Sequence, residues 1–411
     1  MRNRPLILIF LIALYLCRPP APCLARHDLS QHIEHLGNPY SSRYPKPEQT
    51  YARNIWDMIG FKGKIYLGAG NSSNNGPSPN AGPVPVMAYE PATKSFSSPF
   101  TTNEEQIDQF YLFDDVLYLP GHDPQENWNL GNLYLTSDGR KWQKKRTIPF
   151  AVHTYCLHLF QGQLFAGLGT ANGAAIASSD NLGLNWDLSL FKATRRFNNF
   201  LEVNQRLYAA DLIAGDAYRK ALEQHGAKPT PSIFEYAGPQ QFTPRPDLTN
   251  RELFPDTSPD RHQTYKIMRP RSLGDKALYL GGYAHNDHQF IPFGLYLAES
   301  LAKDDIRVKK IRLADNALPW DIHQSTQYVY VLANRKMGDQ FEVSVYRSDN
   351  LDEWQELFFF SAPTFARSFT LAEGIFYFSL GGEIADPRHW KPEELAEQTG
   401  EILKLDLFSV Q

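Results

Sequence analysis

Cysteine is scarce in this sequence: there are three residues in 411, and two of them, Cys17 and Cys23, lie in an apolar N-terminal segment. Beyond that segment only Cys156 remains, so no internal disulfide is available, and we interpret it as a small buried hydrophobic side chain. An excess of charge is also missing, with 41 basic and 45 acidic side chains. We therefore expect a protein stabilised by packing, with no nucleic acid among its partners.

Familiar catalytic and cofactor motifs are missing as well. The chain has no nucleotide-binding fingerprint, no Gly-x-Ser-x-Gly nucleophile elbow and no His-Glu-x-x-His zinc motif. His122 with Asp123, and His285 with Asp287 and His288, are of metal-ligand types, but their spacing matches no zinc signature. We interpret both groups as solvated loops and expect neither a cofactor nor a bound metal.

Long hydrophobic runs are limited to the N-terminus. Arg2 and Arg4 precede an apolar run at residues 5–17, and small residues follow as far as Ala25. This order is typical of a secretory signal peptide, which we assign to residues 1–25. The run is short for a membrane-spanning helix. We expect a secreted or periplasmic protein that has no membrane contact beyond export.

The sequence does contain a repeated short strand, first seen as FKGKIYLGAG at residues 61–70. Six approximate copies follow, and the steps between their aligned aromatic residues are 52, 47, 43, 71, 51 and 47 residues. Periods of about 40–50 residues, each with several short strands, are typical of β-propeller blades. The aligned residues, which we interpret as packing between blades, are Tyr66, Tyr118, Phe165, Tyr208, Tyr279, Tyr330 and Tyr377.

The repeats predict an all-β fold, a seven-bladed β-propeller with four antiparallel strands in each blade. Residues 26–411 would form it as a single domain, and the rarity of helical spacing argues against a parallel α/β fold. The longest step has a helical segment, so we expect an insertion at about residues 214–231, in blade four. The last repeat ends at Phe408 without an outer strand, and we expect residues 32–53 to supply it and close the ring.

Three of the predicted third strands end in similar turns, TSDGRKW, SSDNLGLNW and RSDNLDEW. They resemble the Asp-box of sialidase-like (BNR-repeat) β-propellers, in which an aspartate binds turn amides on the face away from the catalytic mouth. The sialidase catalytic signature, Phe/Tyr-Arg-Ile-Pro, is missing, so the resemblance implies the fold and not the activity. The residues that it assigns to the aspartate position are Asp138, Asp180 and Asp349, and Leu351 stands in the glycine position of the third turn.

A propeller places the starts of its inner strands around one mouth of the channel, where ligands usually bind. The residues nine before the aligned aromatic residues are mostly polar, and polar groups are costly inside a buried element unless they are paired or solvated. They therefore either bind neighbouring blades or line a solvated channel that takes a ligand. The positions are Asp57, Gln109, Cys156, Asn199, Pro270, Asp321 and Ser368.

From these segments we select two sets of candidate site residues. Asp57 and Asp321 are equivalent positions in blades one and six, expected to approach each other across the channel, and His153 joins them as a candidate catalytic residue. The candidate ligand-binding residues are Asn54, Gln109, Arg196, Asn199, Arg269, His323 and Arg367.

The leading functional hypothesis is a secreted, monomeric and non-catalytic binding protein for a carbohydrate or another polar small molecule. A sialidase-like glycoside hydrolase or a lyase, built on Asp57, Asp321 and His153, is the first alternative. A scaffold for protein partners is the second, because the propeller fold serves many functions.

The closure of the ring gives a first prediction. Removing residues 26–50 should expose the edge of the last blade and lower the Tm by about 5 °C or more, because an unpaired strand loses its hydrogen bonds and its packing. Circular dichroism melts of the two proteins measure this change. An undiminished Tm would show that another segment closes the ring.

Overall fold

The computed structural model describes residues 26–72, 79–192, 194, 196–226, 229–257, 264–284, 290–314, 316–384 and 391–410. These residues form seven antiparallel sheets that are the blades of a β-propeller, so the predicted fold is confirmed. The predicted signal peptide and the group His285, Asp287 and His288 lie outside the described residues. Among the described residues, no helix has the length and apolar character needed to cross a membrane.

Eleven strands lead from the N-terminal segment through the first two blades. They are β1 (Glu34–Gly37), β2 (Asp57–Phe61), β3 (Lys64–Gly68), β4 (Pro85–Glu90), β5 (Ser95–Thr101), β6 (Glu104–Gln106), β7 (Tyr111–Phe113), β8 (Val116–Pro120), β9 (His122–Pro124), β10 (Leu130–Thr136) and β11 (Gln143–Pro149). From the channel to the rim, blade 1 has the order β2-β3-β4-β5 and blade 2 the order β7-β8-β10-β11.

Blades 3 and 4 continue the same meander. Their strands are β12 (His153–Phe160), β13 (Gln163–Thr170), β14 (Gly173–Ser179), β15 (Asp187–Phe191), β16 (Asn199–Val203), β17 (Arg206–Ala210), β18 (Ile213–Ala214), β19 (Ile233–Gly238) and β20 (Gln241–Pro244). Blade 3 is extended on its inner side by β9 and β6. Helix α1 (Asp216–Gln224) follows the second strand of blade 4, inside the segment predicted as an insertion.

Blades 5 to 7 complete the ring. Their elements are α2 (Asn250–Leu253), β21 (Thr264–Leu273), β22 (Lys276–Ala284), β23 (Phe290–Ala302), β24 (Asp305–Ile311), β25 (Leu318–Gln324), β26 (Val329–Met337), β27 (Gln340–Ser348), β28 (Gln355–Ala362), β29 (Ala366–Ala372), β30 (Ile375–Leu380) and β31 (Ile402–Asp406). Short 3₁₀ helices lie at Ser30–His32, Pro47–Arg53, Pro392–Glu394 and Leu407–Val410. β18 pairs with the inner strand β21 of blade 5.

The N-terminal segment closes the ring, as the sequence predicted. Strand β1 is the outermost strand of blade 7, in the order β29-β30-β31-β1, with Glu34 opposite Lys404 and His35 opposite Leu403. Ahead of it, Arg26 forms ion pairs with two glutamates of blade 6. The seventh blade therefore consists of three strands from the end of the described chain and one from its beginning.

The aligned aromatic residues lie between blades, in the second strands. All seven side chains are buried. The Tyr66 hydroxyl donates a hydrogen bond to the Gly139 carbonyl of blade 2 at 2.7 Å, and Phe165 of blade 3 packs against Tyr236 of blade 4 with ring centroids 5.2 Å apart. The repeat exists because every blade presents the same kind of side chain to its neighbour.

The three turns that resemble Asp-boxes are capped by one side chain each. In blade 2, Asp138 Oδ1 accepts hydrogen bonds from two backbone N–H groups, both at 2.8 Å. In blades 3 and 6 the cap is Asn181 and Asn350, each one residue after the predicted Asp180 and Asp349. The sequence-based alignment of these two turns was therefore wrong by one position.

A hydroxyl two residues before the cap explains this shift. Ser179 Oγ and Ser348 Oγ each accept a backbone N–H of their turn at 2.9 Å, as Thr136 Oγ1 does in blade 2. The asparagine amide replaces the aspartate as acceptor, which is common in such local turns. Leu351 has φ +68, so the third turn adopts the left-handed conformation without a glycine.

The contact between Tyr66 and Gly139 gives a second prediction. Tyr66→Phe removes a buried hydrogen bond between blades and should lower the free energy of unfolding by about 1 kcal/mol, measured by urea denaturation. Tyr218→Phe, at an exposed tyrosine of α1, is the matched control and should change it by less than about 0.5 kcal/mol. Equal effects of the two substitutions would contradict the role given to the hydroxyl.

Candidate functional site

The inner strands bend at equivalent positions near the channel mouth, the end where these strands begin. In β12, β25 and β29 the pairing with the second strand skips one residue, which is Tyr155, Trp320 and Arg367 respectively. In β21 it skips two, Arg269 and Pro270. Such β-bulges re-aim side chains, and here they create a column of redirected residues at the mouth.

Five of the seven residues that lie nine positions before the aligned aromatic residues bind the next blade. Asp57 Oδ2 accepts the N–H of Phe110 at 2.7 Å, and Asp321 Oδ2 accepts the N–H of Phe369 at 3.1 Å. Others are Asn199 Nδ2 to Ile267 O (2.7 Å), Ser368 Oγ to Ile55 O (2.9 Å) and Cys156 Sγ to Phe197 O (3.8 Å). Of the roles predicted for these residues, the contacts fit binding to neighbouring blades. Catalysis by the aspartates stays a prediction.

Arg269 connects three blades across the channel. Within the bulge of β21, Arg269 has φ +49, an uncommon backbone conformation for a residue other than glycine. From blade 5 its guanidinium reaches Asp57 Oδ1 of blade 1 (Nη1, 3.5 Å) and Asp321 Oδ1 of blade 6 (Nε, 3.6 Å), and it donates to the Trp56 carbonyl. The two aspartates thus meet through one shared cation.

Burial controls the protonation of this cluster. It raises the pKa of Asp57 to about 6; Arg269 opposes the shift and the Asp321 charge adds to it. Burial likewise raises the pKa of Asp321. One guanidinium therefore does not fully compensate two carboxylates that are removed from water. The result is a buried charged layer across the channel.

Arg367 and Asn54 are enclosed on the same side of the mouth, between blades 7 and 1. Arg367 is 6% exposed; its Nε donates to Asn54 Oδ1 at 2.8 Å and its Nη2 pairs with Glu383. The guanidinium carbon lies 4.5 Å from the ring centre of Trp56 and 5.3 Å from that of Trp320. These tryptophans therefore hold a protein cation against their faces.

Two further candidates, Gln109 and His323, also contact the protein itself. Gln109 Oε1 accepts a hydrogen bond from the Tyr111 hydroxyl at 3.0 Å. His323 lies between blades 6 and 7, with Nδ1 3.5 Å from Thr370 Oγ1. Burial, together with the nearby charge of Arg271, lowers the pKa of His323 to about 4. It is therefore neutral at physiological pH.

A second cluster lies on the side of the mouth formed by blades 2 and 3. His122 and His153 are direct partners in the pairing of β9 with β12, so their side chains lie on one face. Asp123 has φ +60, and its Oδ2 lies 3.6 Å from His122 Nε2 while its Oδ1 contacts His153 Nδ1. Only His153 of these three was selected as a site residue from the sequence.

Aromatic and basic side chains surround this cluster. The Tyr155 ring stacks on His153 and meets His122 edge-on, with centroid distances of 5.2 Å in both cases. Arg196, which is exposed, lies over the Tyr155 ring at 5.3 Å. Lys266, half-buried on β21, has its ammonium 5.0 Å from the ring centre of Phe290.

The buried position of the cluster affects its charges. Burial lowers the pKa of His122, so this imidazole is neutral near pH 7. Burial alone would raise the pKa of Asp123, but the two histidines hold it below its ordinary value. Burial also lowers the pKa of Lys266, against the opposing charge of Asp108. A neutral imidazole beside a carboxylate can act as a metal ligand or as a proton acceptor.

The two sides of the mouth differ in how many of their polar side-chain atoms have hydrogen-bond or ion-pair partners within the protein. The Nδ1 atom of His122 is buried and makes no hydrogen bond within the described residues, whereas Nδ1 of His153 contacts Asp123 Oδ1. In the same part of the chain, neither Lys266 nor Arg196 has a carboxylate within 4 Å, and each lies against an aromatic ring. The side of blades 2 to 5 therefore has binding capacity that the protein does not use.

The pairing of His122 with His153 was missed because it depends on topology. The loop after the second strand of blade 2 crosses to the start of the inner strand of blade 3, just as β18 of blade 4 crosses to β21 of blade 5. A sequence search that compared each such loop with the next inner strand would have brought the two histidines together.

Comparisons with known proteins support the fold alone. No protein-family model matches the chain, and no curated protein matches its sequence. Among solved structures, the RRP9 WD40 repeats are 8% identical, with a TM-score of 0.51 over 93% of this chain and 99% of that one. At this level of identity the similarity shows a β-propeller and no particular activity.

Two other similar structures have lower TM-scores. YCF48 bound to D1 peptide is 13% identical over 94% of this chain and 99% of that one, with a TM-score of 0.47. The β-propeller domain of the Trilobed protease from Pyrococcus furiosus is 7% identical over 79% and 90%, with a TM-score of 0.42.

The raised pKa of Asp57 gives a third prediction. Between about pH 4 and pH 6 the folded protein keeps a proton on Asp57 that the unfolded chain has lost, so this residue makes stability fall as pH rises. The unfolding free energy of the wild type minus that of Asp57→Asn should therefore decrease over this interval, measured by urea denaturation at each pH.

Asp28 provides a control of opposite sign. Hydrogen bonds from Ser30 lower the pKa of Asp28, so its contribution is present at higher pH and is lost as pH falls. The difference between the wild type and Asp28→Asn should increase, or stay level, as pH rises from 4 to 6. A difference for Asp57→Asn that also increases would disprove the assignment of the shift to burial.

Proposed function

We propose that the protein binds a polar ligand with an acidic group, such as an acidic glycan, on the side of the channel mouth formed by blades 2 to 5. One observation carries this proposal: Lys266 and Arg196 have no carboxylate partner among the described residues, although both lie beside the mouth. An acidic group is the natural partner of a guanidinium and an ammonium that the protein leaves unpaired.

The contacts on the other side of the mouth support the placement of the ligand beside blades 2 to 5. There Arg269 is held by two aspartates and Arg367 by Asn54, Glu383 and two tryptophans. A ligand would have to displace these partners and leave buried charges uncompensated, at a cost of several kcal/mol. Binding on the side of blades 2 to 5 breaks no such contact.

We further propose that the protein acts outside the cytoplasm as a monomer and is related to the sialidase-like Asp-box propellers. The N-terminal sequence supports export. The capped turns at Asp138, Asn181 and Asn350 support the relationship, since each reproduces the hydrogen bonds between a polar side chain and turn amides.

Hydrolysis is the second candidate function, favoured by the carboxyl of Asp57. Its pKa of about 6 suits a general acid, and Asp321 is the second carboxyl that a glycosidase needs. Both side chains are buried and bound to backbone N–H groups, so a substrate would first have to move Arg269. Release of a reducing sugar by the wild type but not by Asp57→Asn would favour this alternative.

Binding to acidic glycans is the fourth prediction. On an array of uronate-containing, sialylated and neutral glycans, the protein should retain acidic glycans, and Arg196→Met or Lys266→Met should weaken binding by roughly tenfold to a hundredfold. Arg140→Met is the matched control, because this exposed arginine lies on a turn at the other end of the blades. Its affinity should equal that of the wild type.

Two outcomes would contradict the proposal. The first is wild-type protein that retains no acidic glycan and no other acidic small molecule, including citrate and phosphorylated sugars. The second is an equal loss of affinity in the Arg196→Met, Lys266→Met and Arg140→Met variants, since this would indicate charge attraction by the whole surface rather than a site.

A further inference from the structure

We infer that His122, Asp123 and His153 bind one divalent transition-metal ion, with Zn²⁺ as the reference case. One ligand atom from each side chain, two imidazole nitrogens and one carboxylate oxygen, lies within 4.8 Å of the other two. This inference rests on the contacts of the three residues and does not require the ligand proposed above.

The backbone brings these donors together for reasons independent of any metal. Antiparallel pairing of β9 with β12 puts His122 opposite His153 on one face of the ribbon. In a regular strand the next residue would point to the opposite face, but the left-handed backbone at Asp123 changes its direction. All three side chains consequently converge from two short segments.

The donor atoms are available for a ligand. The Nδ1 atom of His122 is buried and has no hydrogen-bond partner among the described residues, and Nδ1 of His153 contacts Asp123, whose carboxylate is itself one of the three ligands. A buried nitrogen atom of this kind is uncommon, because leaving it unpaired carries the free-energy cost of its desolvation. A metal ion that accepts an imidazole lone pair removes this cost, while the Asp123 carboxylate supplies negative charge.

The type of donor selects the class of metal. Imidazole nitrogen suits Zn²⁺, Cu²⁺, Ni²⁺ and Fe²⁺, whereas Mg²⁺ and Ca²⁺ prefer oxygen ligands. Ligands lie about 2.0–2.2 Å from Zn²⁺, so the donors must draw closer to one another than 4.8 Å when the ion binds. Two histidines and one carboxylate leave at least one coordination position for water or for an acidic ligand.

Neighbouring residues hold the three ligands in place. Gln106 of β6 pairs with His122 of β9, so the ribbon has three strands at this point. Gln106 also donates from Nε2 to Asp108 Oδ1 at 3.1 Å, and Tyr155 packs against both imidazole rings. Supporting contacts of this kind reduce the movement that ligands must make when a metal binds.

Calorimetric titration tests this inference as the fifth prediction. The purified protein is treated with a chelator, dialysed, and titrated with Zn²⁺; Co²⁺ is then added as a spectroscopic probe of the ligand geometry. We expect one saturable high-affinity site per chain, a rise in Tm with Zn²⁺, and visible Co²⁺ absorption of the intensity typical of a four- or five-coordinate site.

Substitutions then locate the site. His153→Ala and Asp123→Asn should each weaken Zn²⁺ binding at least about tenfold, as loss of even a supporting residue commonly does. Asparagine tolerates the left-handed backbone, so Asp123→Asn keeps the local fold. The matched control is His158→Gln on the same strand, which removes a histidine paired with Glu202 at 2.9 Å. It should bind Zn²⁺ like the wild type.

Three results would overturn the inference. One is the absence of saturable Zn²⁺ binding by the wild type; another is unchanged affinity in both His153→Ala and Asp123→Asn. The third is loss of binding in a double variant of His285 and His288 but not in the first two variants. Loss of glycan binding without loss of Zn²⁺ binding, in contrast, bears only on the function proposed above.

Discussion

The ring depends on one kind of contact, in which side chains near the start of an inner strand bind the backbone of the next blade. A propeller has no central core, so its blades stay in a ring only when neighbours bind each other. Here the link comes from a single position: Asp57, Asn199, Asp321 and Ser368 each bind a backbone group of the following blade. Because a side chain that binds backbone does not depend on the identity of its partner residue, the position tolerates aspartate, asparagine and serine alike.

The sequence predicted the fold well and the site only in part, for identifiable reasons. A repeated aromatic residue such as Tyr66 marks every blade, because each of the seven blades must bury a side chain of this kind against its neighbour. The bulge at Arg269 left no comparable signal, since it appears only in the pairing of β21 with β22. His122 and His153 belong to different blades, and their contact depends on where a loop meets the next strand. Local periodicity predicts the blades, whereas the register between blades determines the site.

The two sides of the channel mouth use similar residues for different purposes. Around Arg269 and Arg367 the charged groups of different blades contact one another, which fixes the positions of blades 5, 6, 7 and 1 relative to one another. Around His122 and Lys266 the polar groups have fewer partners within the described chain. Since the contacts around Arg269 and Arg367 hold the ring together, residues on the side of His122 and Lys266 can be replaced without a change in the shape of the ring.

The pairing of β1 with β31 has a consequence for biosynthesis. Almost the whole described chain separates these two strands, so the seventh blade cannot be completed until its last strand has been made. Earlier blades can form one after another, but their ring stays open, with two sheet faces exposed to solvent. During that interval the N-terminal strand is itself an unpaired edge, which can pair with another chain. The pairing of β1 with β31 therefore makes synthesis of β31 the step after which the ring can take its final shape.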